Sequence, residues 1–210
     1  MRKPLNAARF YGILDMGYVA ESDAARICQA LIDGGAGIIQ LRAKKCSPFE
    51  RIRLLDTIYP VCRNAGVVLV VNDHIELALR YPDVGLHVGQ DDLPVPEARM
   101  RLGPGRILGL STHSARQAQV AFALAGHLDY FAVGPVFATA TKPDYKPVGL
   151  ELVRLVARMA PPLPWFCIGG ITRKNAAQVF AAGAKAVVSV SDVLLAEDPA
   201  QAVRDIIAAL

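Results

Sequence analysis

The sequence predicts an α/β fold, a single (β/α)8 barrel, and three observations support this. Short apolar runs recur eight times along the chain at intervals of about 20 to 30 residues, the spacing that a strand plus a crossover helix requires. Helical stretches with capping signals lie between these runs. The chain has 210 residues, close to the lower limit of about 200 residues for this barrel. An open doubly wound sheet is the alternative, because periodicity alone does not show that a sheet closes.

The predicted strands are short and rich in β-branched residues. The third of them, VVLVV, is apolar without interruption, as expected for a parallel strand that is covered on both faces. The eight predicted strands are, in chain order, Phe10–Leu14, Gly37–Leu41, Val67–Val71, Val84–Val88, Arg106–Leu110, Leu128–Val133, Trp165–Ile168 and Ala186–Val190.

Three of the predicted helices begin with a recognisable cap. The segment Ser47–Glu50 reads Ser-Pro-Phe-Glu, the order of an N-cap, a proline in the first turn and a capping-box glutamate. The segments Ser114–Gln117 and Asp198–Gln201 follow the same pattern. No change of composition and no Ser/Gly-rich linker interrupts the alternation of strands and helices. We therefore expect residues 1–210 to form one domain, with the barrel proper covering about 10–210.

Composition and charge exclude several classes of protein. With 53% hydrophobic and 20% charged residues, the chain is too apolar and too weakly charged to be a disordered protein. The formal net charge is only +4, and the basic residues are scattered, which argues against a nucleic-acid partner but suits small anions. No apolar run approaches the roughly 18 residues that a membrane span needs. We expect small-molecule partners, with neither nucleic acid nor a membrane.

The cysteines and the N-terminus favour a cytoplasmic protein. The four cysteines are widely spread and form no CxxC pair, so reduced thiols are expected. Polar residues among the first fifteen positions interrupt any apolar core of a secretory leader. The sequence leaves open whether the chain forms a homo-oligomer.

Polar side chains with phosphate-binding chemistry follow the second strand. The functional groups of such a barrel lie at the carboxyl ends of its strands. If the chain stays extended there, Gln40, Arg42 and Lys44 point to one face. A guanidinium offers a planar fork of donors to phosphate oxygens, and an ammonium adds a point charge. This strand end is therefore a candidate anion site.

Carboxylates follow the third and fourth strands, at Asp73 and Asp92. Neighbouring strand ends can share a hard cation such as Mg²⁺, which takes one or two carboxylates together with substrate phosphates. Another role stays open for each residue. Asp73, with Glu76 three residues later, fits a capping box, and Asp92 fits a cap for a helix that begins near Pro94.

Hydroxyls and a cation follow the fifth and sixth strands. Ser111 ends the fifth strand, whereas Ser114 is explained by its capping role. The longer loop after the sixth strand carries Thr139, Thr141 and Lys142. Two hydroxyls and an ammonium within four residues suit an anion, and a loop of this length can close over a site.

Glycine and serine follow the last two strands, where barrels of this type usually bind phosphate. The seventh strand leads into Gly169 and Gly170, with Thr172 placed to cap the next helix, and the eighth leads into Ser191. Glycine lets the backbone approach a phosphate, and helix N-termini direct N–H groups at it.

Two other residues with reactive side chains are given structural roles. The histidines have no metal-ligand spacing, and His87 lies within a predicted strand, which favours a structural role. Cys46 has basic neighbours, which can lower a thiol pKa, but no base is paired with it, so an inert thiol is expected.

As an ordered set, seven motifs resemble those of the thiamine-phosphate synthase family: QLRAK, VND, HVGQDD, GLSTH, GPVFATATK, IGGI and VSVS. The resemblance runs from about Tyr11 to the C-terminus. It implies a (β/α)8 transferase that joins hydroxymethylpyrimidine diphosphate to thiazole phosphate, giving thiamine phosphate and pyrophosphate, with Mg²⁺ as cofactor.

The resemblance also implies a role for each matching residue. The pyrimidine diphosphate would be held by Gln40, Arg42, Lys44 and Asn72, with further contacts from Ser111 and Lys142. Mg²⁺ would be bound by Asp73 and Asp92. The thiazole phosphate would be held by Thr139, Thr141, Gly170, Val190 and Ser191. The side chains implied to act in the reaction itself are Arg42, Lys44, Ser111 and Lys142.

The chain also departs from the family pattern. Asp192 replaces a more usual apolar residue and adds a negative charge beside the expected phosphate site. Two alternatives stay open. A related thiazole tautomerase-like isomerase carries a catalytic histidine directly after the glycine that ends the sixth strand, where this chain has Pro135. A non-catalytic paralogue that binds thiamine precursors is the other alternative.

Overall fold

The computed structural model describes residues 5–139 and 146–210, and its strands close into a barrel. Eight parallel strands follow one another in chain order, and the last pairs with the first. This closure confirms the predicted (β/α)8 barrel and excludes an open sheet. The strands are β1 Phe10–Asp15, β2 Ala36–Arg42, β3 Val68–Asn72, β4 Gly85–Val88, β5 Leu108–Thr112, β6 Tyr130–Val133, β7 Trp165–Cys167 and β8 Val187–Ser189.

Helices connect the strands and cover the outside of the barrel. Short 3-10 turns occupy Leu5–Ala7 and Glu21–Asp23. The α-helices are α1 Ala24–Asp33, α2 Pro48–Ala65, α3 Ile75–Ala78, α4 Val95–Leu102, α5 Ala115–Ala123, α6 Gly149–Met159, α7 Ala176–Ala181, α8 Ser191–Leu194 and α9 Pro199–Ala208. In the part of the chain that the structure describes, no helix has the length and apolar character needed to cross a membrane.

The predicted caps of α2, α5 and α9 are confirmed. Ser47 and Glu50 form a reciprocal capping box at the start of α2. The side chains of Ser114 and Asp198 each accept a hydrogen bond from a backbone N–H in the first turn of α5 and α9, respectively. Each bond satisfies a donor that the first turn of a helix leaves without an intrahelical partner.

Two separate apolar cores result from the alternation of side chains along each strand. In β1, Phe10 and Leu14 point outward into the large core between the strands and the helices. Tyr11 and Ile13 point inward, into a smaller core that fills the barrel. Because successive side chains alternate, the inward series of β1 continues to Asp15 at the carboxyl end. The strands thus direct one series of side chains at the mouth of the barrel.

Candidate active site

A cleft opens at the carboxyl ends of the strands, and most of the predicted site residues lie in it. Residues from the ends of all eight strands, or from the loops that follow them, line this cleft. The predicted residues among them are Gln40, Arg42, Asn72, Ser111, Thr139, Gly170, Val190 and Ser191. Lys44, Asp73 and Asp92 are not among the lining residues, and Thr141 and Lys142 lie outside the described residues.

Arg42 is held in the cleft by a carboxylate at the end of the neighbouring strand. Its Nη1 lies 2.5 Å from Oδ2 of Asp15. The Asp15 side chain is 4% exposed and that of Arg42 is 16% exposed, so the pair is largely shielded from water. Asp15 also accepts a hydrogen bond from the backbone N–H of Gly17 through its other oxygen. This double attachment fixes where the guanidinium can present its remaining donors.

Lys44 and two carboxylates form a charged group at the rim of the cleft. The Lys44 ammonium lies 3.4 Å from Oδ2 of Asp73. Burial, together with the neighbouring Asp92 carboxylate, raises the pKa of Asp73, and Lys44 partly offsets this. Two carboxylates in such proximity repel one another, and a bound cation relieves that repulsion.

A cation at this place would complete its coordination with groups from outside the protein. Within residues 5–139 and 146–210, no cluster of three or more His, Cys, Asp or Glu side chains is arranged to hold a metal. Mg²⁺ commonly takes only one or two carboxylates and completes its octahedron with waters and substrate phosphate oxygens. Asp73 and Asp92 therefore fit Mg²⁺ bound together with a phosphorylated substrate.

Neither carboxylate caps a helix, so the alternative roles considered for them are wrong. Asp73 has a φ of 65°, in the left-handed region, and α3 begins two residues later without a side-chain cap. Glu76, the expected capping-box partner, instead contacts Arg101. The Asp92 carboxylate accepts from the N–H of Gly89, 2.7 Å away, and so closes the turn that follows β4.

Ser111, in β5, lines the cleft and is attached to His87. Their Oγ and Nε2 atoms are 2.9 Å apart. His87 is buried and also bonds Tyr130 through Nδ1, so its predicted structural role agrees with its position, although the ring also lines the cleft. Gln90 contributes from the loop after β4, since its amide donates to the backbone carbonyl of Ser111.

The Gly169–Gly170 pair joins the loops after β6 and β7. Both glycines have positive φ angles, 98° and 63°. A Cβ on Gly169 would lie 2.3 Å from Cβ of Pro135, and one on Gly170 would lie 2.5 Å from the carbonyl oxygen of Ala138. The glycines are therefore required for the close approach of two loops, in addition to the open backbone expected at a phosphate site.

Substituting Gly169 with Ala is expected to destabilise the protein by about 2–4 kcal/mol, because the new methyl group meets Pro135 and the backbone φ is unfavourable for alanine. Urea unfolding followed by circular dichroism measures this change. Gly126→Ala is the matched control, since a Cβ there meets nothing within 4 Å. Equal unfolding midpoints for the two variants would contradict the tight packing of these loops.

The expected cap at Thr172 is wrong. Helix α7 begins at Ala176, and residues 173–175 form a turn before it. Asn175 organises this turn: its side-chain oxygen accepts from the backbone N–H of Thr172, and its amide donates to the carbonyl of Gly170. Because of this turn, α7 begins four residues after Thr172.

Asp192 does not add an unpaired charge to the loops after β7 and β8, where phosphate binding is expected. Its carboxylate accepts from the backbone N–H of Arg173, at 2.9 Å, and from Nε of the same residue, at 3.1 Å. Ser191, which begins α8, lines the cleft. The departure at Asp192 thus links the loop after β8 to the loop after β7, and Arg173 balances its charge.

Sequence reasoning missed several residues that shape the site. Asp15 directly follows the first predicted strand, so the strand-end rule that identified Arg42 could have identified it. Tyr11 and Tyr130 gave no such signal, because they lie inside apolar strands. Asn175 could have been recognised only from the turn geometry that it creates.

Taken together, the closed barrel, the cations at one side of its mouth and the glycine-containing loop after β7 define a (β/α)8 enzyme that acts on phosphorylated small molecules. Comparison with known proteins narrows this class. The sequence profile of the family described as Thiamine monophosphate synthase matches residues 10–193. The chain belongs to this family.

Individual relatives agree with this assignment over nearly the whole chain. The chain is 40% identical to a thiamine-phosphate synthase of Acidothermus cellulolyticus over 210 residues, covering 100% of this chain and 98% of the relative. It is 43% identical to that of an Arthrobacter species, covering 98% and 95%. Among solved structures, a thiamine phosphate pyrophosphorylase from Pyrococcus furiosus matches with a TM-score of 0.85 and 29% identity, covering 98% of this chain and 96% of that one.

Proposed function

We propose that this protein is a thiamine-phosphate synthase. It joins hydroxymethylpyrimidine diphosphate to thiazole phosphate and releases pyrophosphate, with Mg²⁺ as cofactor and residues 1–210 acting as one cytoplasmic barrel domain. The carrying observation is the arrangement of charge at the mouth: Arg42 is paired with Asp15, and Lys44 lies beside Asp73, whose pKa the neighbouring Asp92 carboxylate raises. Membership of the thiamine monophosphate synthase family indicates which substrates bind at these charges.

The two halves of the cleft suit two phosphorylated substrates. The side formed by β2, β3 and β5 carries Gln40, Arg42, Asn72 and Ser111, and it would hold the pyrimidine diphosphate. The side formed by the loops after β6, β7 and β8 carries Thr139, Gly170, Val190 and Ser191, and it would hold the thiazole phosphate. Thr141 and Lys142 are proposed to complete the anion contacts on the strength of the family motif alone.

The reaction needs little covalent help from the protein. The bond between the pyrimidine methylene carbon and the diphosphate oxygen breaks, and the electron pair leaves with pyrophosphate. The electron-rich aminopyrimidine stabilises the resulting cation, and the thiazole nitrogen then attacks it. No proton needs to be removed to make that nitrogen nucleophilic, so no general base is required.

The protein's contribution is charge stabilisation and alignment. Arg42, fixed by Asp15, donates to the departing diphosphate, and Lys44 adds a positive charge at the rim. Asp73 and Asp92 would hold Mg²⁺, which supplies electrophilic stabilisation of the leaving group when bound. Gln40 and Ser111 orient the pyrimidine ring.

Turnover with both substrates tests this proposal directly. The purified chain, supplied with Mg²⁺ and both phosphorylated substrates, is expected to form thiamine phosphate and pyrophosphate in equal amounts. Omitting either substrate should abolish the formation of thiamine phosphate. Product chromatography and a coupled pyrophosphate assay measure the two products independently.

Two outcomes would favour the alternative functions. Isomerisation of the thiazole substrate without pyrophosphate release would identify a tautomerase-like isomerase. Calorimetric binding of the phosphorylated precursors without any turnover would identify a non-catalytic precursor-binding paralogue.

A further inference from the structure

A chain of hydrogen-bonded side chains crosses the interior of the barrel beneath the cleft. It connects Gln40 on β2 to Ser111 on β5 through three buried groups. The amide Nε2 of Gln40 donates to Oη of Tyr11 at 2.5 Å, and the Tyr11 and Tyr130 hydroxyls are 2.9 Å apart. Tyr130 reaches His87 Nδ1, and His87 Nε2 reaches Ser111 Oγ, each at 2.9 Å. Both ends of the chain line the cleft.

The direction of every bond in this chain follows from the amide of Gln40. Burial raises the pKa of Tyr11 and that of Tyr130, so each phenol keeps its single hydrogen. Because Gln40 donates to Tyr11, the Tyr11 hydrogen is available for Tyr130. A buried hydroxyl hydrogen without an acceptor is costly, so it is given to Tyr130.

The same reasoning continues to the far end. Tyr130, having accepted from Tyr11, donates its own hydrogen to Nδ1 of His87. The imidazole then carries its hydrogen on Nε2 and donates it to Oγ of Ser111. One N–H of the Gln40 amide donates inward to Tyr11, and its carbonyl oxygen is the acceptor left for a ligand. The Ser111 hydroxyl, having accepted inside, is left as a donor.

We propose that Tyr11, Tyr130 and His87 are positioning residues that fix Gln40 as an acceptor and Ser111 as a donor, so that the cleft selects an amino-substituted pyrimidine over its oxo analogue. An aminopyrimidine presents an amino donor and a ring-nitrogen acceptor, which is the complementary pair. A pyrimidinone presents the reverse, a ring N–H donor and a carbonyl acceptor. This inference rests on the proposed function, which supplies the pyrimidine ring.

Tyr11 is the link on which selection depends. With Phe at position 11, the hydrogen of Tyr130 is no longer fixed by Gln40, and His87 can adopt either tautomer. Ser111 can then accept as well as donate, and it fits either ring. The ring geometry of the site would be retained, because Tyr11 and Tyr130 also pack edge-to-face on Phe166, with centroid distances of 5.3 and 5.5 Å.

The first test measures the direction of these side-chain hydrogen bonds through the tautomer of His87, without a substrate. Imidazole ¹⁵N chemical shifts of the whole protein should show His87 as the Nε2–H tautomer, and Tyr11→Phe should give a mixture of tautomers. An Nδ1–H tautomer in the unsubstituted protein, or an unchanged tautomer in Tyr11→Phe, would overturn the proposal.

The second test measures selection as a ratio of dissociation constants. Calorimetry with the 4-amino and 4-oxo pyrimidine diphosphates, without the thiazole substrate, is expected to show preference for the amino ring. Tyr11→Phe and Tyr130→Phe should each reduce this preference by about tenfold, since one misdirected buried hydrogen bond is at stake. The double variant should lose no more than either single one, because both break the same chain.

Phe166→Leu is the packing control. It disturbs the same rings but removes no hydroxyl, so its preference for the amino ring should equal that of the unsubstituted protein, even if both affinities fall. An equal loss of preference in Phe166→Leu would assign the effect to packing and overturn the proposal. Preferential binding of the amino ring without turnover would instead support the positioning role of these side chains and contradict the proposed synthase activity. Binding of neither ring would contradict both proposals.

Discussion

Replacing Arg42 with Met is expected to lower kcat/KM for the pyrimidine diphosphate by about 100- to 1000-fold, the usual range for removing one directed donor from a developing negative charge. Methionine preserves much of the aliphatic stem but supplies no donor. The guanidinium is largely shielded from water and lies 2.5 Å from Asp15, so solvent does not replace its donors. Steady-state kinetics with the thiazole substrate saturating measures the loss.

Two further variants separate charge from geometry at this position. Arg42→Lys should recover only part of the activity, because an ammonium cannot reproduce the planar fork of donors. Arg53→Met is the matched control: Arg53 forms an exposed pair with Glu21 on the outer helical layer, where such pairs contribute little. If Arg42→Met retained the kcat/KM of Arg53→Met, the assignment of Arg42 to the leaving group would be wrong.

The strand-end rule explains why so much of this site is visible in the sequence. Gln40 and Arg42 are polar residues in and after an apolar strand, and in a barrel all strand ends meet at one mouth. Each predicted strand is present with ends that differ by no more than about two residues, a normal uncertainty for element boundaries. The placement of eight predicted residues in one cleft follows from these two regularities.

The residues beneath the cleft were not visible for an equally physical reason. A barrel strand is buried on both faces, so its sequence is apolar throughout and does not reveal which side chains point inward. Tyr11 and its neighbour Phe10 look alike in sequence, yet Phe10 belongs to the outer core and Tyr11 to the inner one. Only the closed structure brings Tyr11 against Tyr130, which is 119 residues away in the chain.

Local capping patterns failed where the backbone takes an unusual course. The spacing of Asp73 and Glu76 matches a capping box, but the positive φ of Asp73 turns its carboxylate toward Lys44. That conformation has no signature in the sequence, because aspartate enters the left-handed region only occasionally. A costly backbone conformation beside converging charges is a feature often found at functional sites.

Removing the metal is expected to stop the reaction, and Asp92 should govern how much metal is needed. EDTA should abolish thiamine phosphate formation, and excess Mg²⁺ should restore it. Asp92→Asn should lower kcat by about 100-fold and raise the Mg²⁺ concentration for half-maximal rate at least about tenfold, because a neutral amide is a poorer ligand for a hard cation. Initial rates measured across a Mg²⁺ titration give both quantities.

The Asp92→Asn substitution isolates charge from structure. In the unsubstituted protein the Asp92 carboxylate accepts a hydrogen bond from the N–H of Gly89. The amide oxygen of asparagine can accept the same bond, so the turn after β4 should persist. Asp33→Asn provides a control on the surface, at the end of α1, where the side chain accepts only a local bond from Gln29 among the described residues. Its Mg²⁺ titration should match that of the unsubstituted protein. Removing one of only two carboxylate ligands must weaken the binding of Mg²⁺. A magnesium site at these strand ends would therefore be refuted if thiamine phosphate still formed in EDTA, or if the Mg²⁺ titration curve of Asp92→Asn coincided with that of Asp33→Asn.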